Sequence, residues 1–233
     1  MTAPTLAYHS VVDVFTADGT WYKPVGLAYA IVVLTGGGGG GGWATSGIAG
    51  IEVGGGGGGA LRSKPIPASL LPDAVQIVVG AGGVYRQSDG GDSWFGADYR
   101  APGGQCGEDH PLGGMGGVSP LRGGQGGAGS GAWGEAVTAL PAQLLCGGGG
   151  GAGVGDAWGG QSGMNLRSDG TTTTNAPLLW PGVHQAGHGG APRSGGAGQQ
   201  FPQWPAGGGG ARQDGAAGSV AIIQVVSNIT DIT

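Results

Sequence analysis

The chain has 233 residues, 61 of them glycine, with 10 per cent charged residues and a net charge of −5. Average proteins carry about 25 per cent charged residues, and the basic residues here form no stripe, which argues against a nucleic-acid partner. The longest apolar stretch, residues 27–34, is far short of the roughly 20 residues a membrane-spanning helix needs, and no N-terminal charge before an apolar run marks a secretion signal.

Residues 1–10 read as an N-terminal arm. From Val11 the segment VVDVFTADGTWYKP carries β-branched and aromatic residues on both sides of Asp18-Gly19, which predicts a hairpin. A further strand is predicted over 27–35, and its end runs straight into seven glycines at 36–42. A second block of six fills 54–59. Leu70, Leu71 and Pro72 then introduce a strand over 75–80, which ends in GAGG. Blocks of five at 147–151 and four at 207–210 follow, and SVAIIQVVS at 219–227 predicts the closing strand. Only 135–145 approaches a helical pattern, and Pro141 interrupts it.

Two states are open to the glycine blocks. Glycine loses the most conformational freedom on folding, so isolated runs stay disordered. Against disorder of the whole middle stand the flanking apolar segments, which need a sheet to bury them. The ordered alternative is the threefold polyglycine helix, with about 3.1 Å rise per residue and every N–H and C=O turned sideways. Several such helices can pack and bond to one another, provided that a β clamp holds them. The expected fold is therefore all-β, a small antiparallel framework enclosing polyglycine-II-like loops. Its first and last strands share one sheet, the domain covers 11–227, and 228–233 form a tail.

Motifs that carry chemistry are weak here. Gly124, Gly126 and Gly129 meet the GxGxxG spacing, which chance supplies in a chain this rich in glycine, and no strand-to-helix unit surrounds them. His184 and His188 would align only on a helix, and HQAGHGG is a poor one, so solvated loop histidines are the expectation. Glu108, Asp109 and His110 cluster without a nucleophile. Asn228 opens a glycosylation sequon. Cys106 and Cys146 could bridge, with free thiols as the preferred reading. No catalytic residue, metal or cofactor is expected, and the chain reads as a non-enzyme.

Seven tryptophans are a large number for this composition. Trp43, Trp133 and Trp158 adjoin glycine tracts, and Trp180 and Trp204 sit in proline-containing loops. A flat apolar face with one donor suits stacking on sugar rings or anchoring an interface, which makes these five the receptor-contact candidates. The structural alternative is that they cap the ends of the glycine lattice or fill trimer contacts. Trp21 and Trp94 belong to the framework.

The order VFTADGTWYKPVG, AYAIVVLTGGGGGGG, a second block, VQIVVGAGG, GGDSWFG, further blocks and GSVAIIQVV resembles the glycine-rich domain of bacteriophage tail proteins, notably minor tail proteins of phages of actinobacteria. The resemblance spans residues 11–227. It implies a virion component of the distal tail, assembled in the host cytoplasm, that contacts other tail proteins and a host surface glycan or protein and forms a homotrimer. Two other glycine-rich classes compete. A wall-associated bacterial protein would show an export signal. An ice-binding protein would need a regular Gly-X-X period to present a flat face, and that period is absent here.

Overall fold

The computed structural model describes residues 7–44, 51–107, 113–128, 132–137, 148, 150, 151, 153, 165–166, 172–173 and 206–228. Along the chain the strands are β1 (Ala7–Phe15), β2 (Gly19–Tyr22), β3 (Leu27–Thr35), β4 (Gly42–Ala44), β5 (Ile51–Val53), β6 (Ala60–Arg62) and β7 (Ile66–Pro67). After a 3-10 turn at Ala68–Leu70 come β8 (Ala74–Val78), β9 (Ser93–Phe95), β10 (Tyr99–Ala101), β11 (Asn165–Leu166), β12 (Thr172–Thr173) and β13 (Ser219–Asn228). The fold is all-β, and every pairing is antiparallel.

Two sheets form the framework, one ordered β1-β13-β3-β6 with β7 also on β3, the other β10-β9-β8-β2. The closing strand lies between β1 and β3, as Val12↔Ile223 and Leu34↔Val220 show, so the two ends of the domain do share a sheet. Strand alternation sorts the side chains by face. Ala30, Val32 and Leu34 of β3 with Val220 and Ile222 of β13 meet Trp21, Val75, Ile77 and Phe95 of the other sheet in the core. The residues between them, Val33, Ala221 and Ile223, point to the opposite face and pack with Ala60 and Leu121.

The hairpin predicted at Asp18-Gly19 does not form. β1 pairs with β13 and β2 with β8, so the chain turns a corner from one sheet to the other. Asp18 is used elsewhere, its Oδ1 accepting the N–H of Val79 at 2.8 Å. The expected strand over 75–80 is realised two residues earlier at its far end, because Gly80 already leaves the sheet to donate to Ser93 Oγ. Trp21 and Trp94 lie in the framework as read from the sequence. Trp21 is buried against Phe95, and Arg100 sits over the Trp94 ring at 5.3 Å.

Glycine segments enter and leave the sheets at one end, at the junctions Thr35/Gly36, Gly59/Ala60 and Gly218/Ser219. Buried hydroxyls staple this neck. Ser93 Oγ donates to Thr35 O at 2.7 Å and accepts from Gly80 N at 2.9 Å, while Ser219 N donates to Thr35 Oγ1 at 3.0 Å.

Candidate functional site

Beyond the neck the glycine blocks form an ordered lattice whose interior is held by backbone hydrogen bonds. Gly36 and Gly39 donate to the carbonyls of Gly59 and Gly56, Gly37 and Gly40 to Gly91 and Ser88, and Gly38 and Gly41 to Ala216 and Gln213. Each partner segment recurs every third residue, which is the repeat of a threefold polyglycine helix. The carbonyls follow the same rule: Gly37 and Gly40 accept from Gly104 and Gly107, Gly38 and Gly41 from Gly83 and Arg86, and Gly39 from Gly209. Segments 54–59, 88–91, 213–216, 83–86, 104–107 and 207–210 thus surround residues 36–41.

The second block is enclosed in the same way. Gly54, Gly57 and Ala60 donate to Gly127, Gly124 and Leu121; Gly55 and Gly58 to Gly209 and Ala206; Gly56 and Gly59 to Gln105 and Pro102. Its carbonyls accept from Gly114 and Gly117, from Gly151 and Gly148, and from Gly39 and Gly36. The two blocks share the segments at 102–107 and 206–210, as neighbouring points of a hexagonal array must. Each such bond contributes about 0.5–1.5 kcal/mol against about 1–2 kcal/mol per ordered backbone, so the lattice depends on the β clamp.

What the blocks require of glycine is the missing Cβ. Among the described glycines only Gly26, Gly96 and Gly113 have positive φ, so left-handed backbone is not the reason for the runs. A Cβ on Gly39 would stand 2.0 Å from the carbonyl oxygen of Gln105, and one on Gly55 or Gly58 would stand 2.1 Å from the oxygen of Gly39 or Gly36. Enclosed helices can therefore carry no side chain. Outer helices can, at every third position. Met115 and Val118 mark one such row, with Arg122, Gln125 and Ala128 on the next and Trp133 and Ala136 on a third.

At the rim, carboxylates replace missing carbonyl neighbours. Asp89 and Asp92, three residues apart, accept the N–H groups of Cys106 at 2.7 Å and Gly103 at 2.9 Å. Asp214 accepts from Tyr85 N at 2.7 Å, and Glu135 from Gln125 N at 2.9 Å. The Arg122 guanidinium, bonded to Glu135, holds its carboxyl below the usual carboxylate range, with burial opposing and the Gln125 N–H assisting. Arg212 makes a second ion pair with the buried Glu52 beside the lattice.

Of the tryptophans singled out from the sequence, Trp133 is 68% exposed on an outer row, separated by the Arg122 row from that of Met115 and Val118, whose side chains are 45% and 78% exposed. Trp43 lies in β4 opposite Glu52, where the first block passes into a strand pair. Trp158, Trp180 and Trp204 lie outside the described residues, as do Glu108, Asp109, His110, Cys146, Gly129, His184 and His188. Cys106 is buried, its thiol facing the Gly41 carbonyl at 3.9 Å. Among the described residues no group of His, Cys, Asp and Glu could hold a metal ion, and no helix is long and apolar enough to cross a membrane. The outer-row side chains were missed in the sequence because the period was sought along the whole chain. It is local, in the Gly-Gly-X units at 113–118 and 123–128.

Residues 15–223 match the glycine-rich domain family, and the chain belongs to that family. A search of curated proteins returns no match.

Proposed function

We propose that the chain is a minor tail protein of a bacteriophage, placed at the distal tail or tail tip, where it is a structural element and meets the host cell surface. The resemblance of both ends and of the GGDSWFG element to tail proteins supports the reading. The observation that carries it is the outer face of the lattice, where a rigid backbone scaffold presents isolated rows of side chains, with exposed Trp133 among them. Such a scaffold holds recognition groups at fixed spacing with little ordering cost on contact. The partners are other tail proteins and a surface glycan or protein of the host. Chemistry of bond making or breaking has no part in it.

Binding of the labelled protein to a panel of intact bacteria, actinobacteria included, tests the recognition role. Saturable binding to particular strains, weakened by Trp133→Ala at unchanged oligomeric mass, is the expected result. Antibody labelling of virions separates the wider readings. Gold particles at the tail tip support a tail protein, whereas labelling of the walls of uninfected cells overturns it in favour of a wall-associated glycine-rich protein.

A further inference from the structure

The framework handles its sheet edges unequally. Among the described residues, the outer strands β6, β10 and β2 have three, three and four residues, and β7 has two including Pro67. Short strands and proline are the usual means of keeping an edge from pairing with another chain. β1 has neither. It runs for nine residues, pairs with β13 on one side and has no described neighbour on the other. Its Tyr8, Val11 and Val14 are 59%, 40% and 49% exposed, and the only register irregularity near it lies on the far side of β13, between Val225 and Val226 in the pairing with β3.

The strand is also complementary to itself. Opposed residues in an antiparallel ladder are either both hydrogen-bonded or both not, so two copies of β1 can meet only in registers whose paired numbers sum to an even value. Centring the pair on Val11 sets Tyr8 against Val14 of the second copy, His9 against Asp13, and Ser10 against Val12. The exposed apolar Tyr8 and Val14 then meet, Val11 meets its own copy, and the basic position meets the acidic one, with Ser10 and Val12 between them. A shift of two residues in the sum loses the match between His9 and Asp13, and a shift of four in either direction brings His9 onto itself or Asp13 onto itself. Among the described residues Asp13 is bonded through Oδ2, to Gln224 Nε2, which leaves Oδ1 for this contact.

We propose that β1 is a self-association edge, through which two copies of this chain join antiparallel about Val11 into one continuous sheet. Because the register is even, the core face of one sheet continues into the core face of the other. This inference does not depend on the tail reading, and it sets a twofold pair in place of the homotrimer that the resemblance implies.

The mass of the full chain in solution, by light scattering over a concentration series, reads it out. Wild type is expected as a dimer at micromolar concentration. His9→Glu, which sets like charges opposite each other, should raise the dissociation constant at least tenfold, and His9→Lys should leave the dimer intact. Val11→Cys should form a covalent dimer on mild oxidation, because directly opposed strand residues lie about 4.5–5.5 Å apart, within disulfide reach. Tyr8→Cys should not exceed the wild-type background, since its two copies would stand about 20 Å apart along the strands. A monomer at high concentration, a trimer, equal behaviour of the two His9 variants, or cross-linking through position 8 and not 11 would each overturn the proposal.

Discussion

The framework and the lattice are stabilised by opposite uses of the side chain. Between the sheets, Leu34, Ile77, Ile222 and Trp21 fill space and remove apolar surface from water. In the lattice, Gly39, Gly55 and Gly58 permit neighbouring backbones to touch because nothing projects from them. One region is weakened by taking atoms away, the other by adding them. A single chain can hold both because the sheets supply the burial energy and the lattice only has to break even.

The largest effect should therefore come from adding atoms to an enclosed helix. Gly39→Val forces a branched side chain onto the Gln105 carbonyl, and we expect loss of the folded lattice, at more than about 4 kcal/mol. Gly19→Val, whose new Cβ would meet only the Phe15 ring at 3.3 Å, should cost far less in the same thermal melt. Equal losses at the two sites would show that the blocks are loose linkers. Next comes Leu34→Ala in the core, expected to cost about 2–5 kcal/mol by denaturant unfolding.

At the neck, where the regions meet, Ser93→Ala leaves Gly80 N–H without its acceptor and Thr35 without its donor, for about 1–3 kcal/mol. Hydrogen exchange should rise at Gly80 before it rises in β3. The smallest effect concerns the rim and depends on pH. The Glu135 carboxyl is lowered by Arg122, so its contribution is complete at neutral pH and is lost as the pH falls below the ordinary carboxylate range. Glu135→Gln should flatten that part of the acid limb of a stability–pH curve, and an unchanged limb would remove Glu135 from the rim account.

The framework was legible because β3, β8 and β13 announce themselves by β-branched runs next to glycine. Asp18-Gly19 misled because a turn dipeptide reports a local bend and not which strand the chain meets after it. The lattice was legible as a possibility from its seven- and six-residue runs. Its arrangement was not, since every bond joins segments distant in sequence and glycine carries no pattern to say which. With the geometry known, a rule connects the two: an unbroken run marks an enclosed helix, and Gly-Gly-X marks one at the surface. That rule would have placed Met115, Val118 and Gln125 outward. Trp133 was found from composition, and its exposed setting follows from the same row.

The position of β13 between β1 and β3 also sets the timing of folding. Synthesis delivers β1 and β3 first, yet β1 waits for its partner, and β3, already joined to the short β6 and β7, for its longest one, until residues 219–228 emerge, and Gly38 and Gly41 wait equally for Ala216 and Gln213. Contacts of such sequence separation form slowly. The nascent chain must therefore keep its apolar strands and bare glycine runs apart from neighbours until that strand emerges. It then closes sheet and lattice together, with β13 acting as the pin.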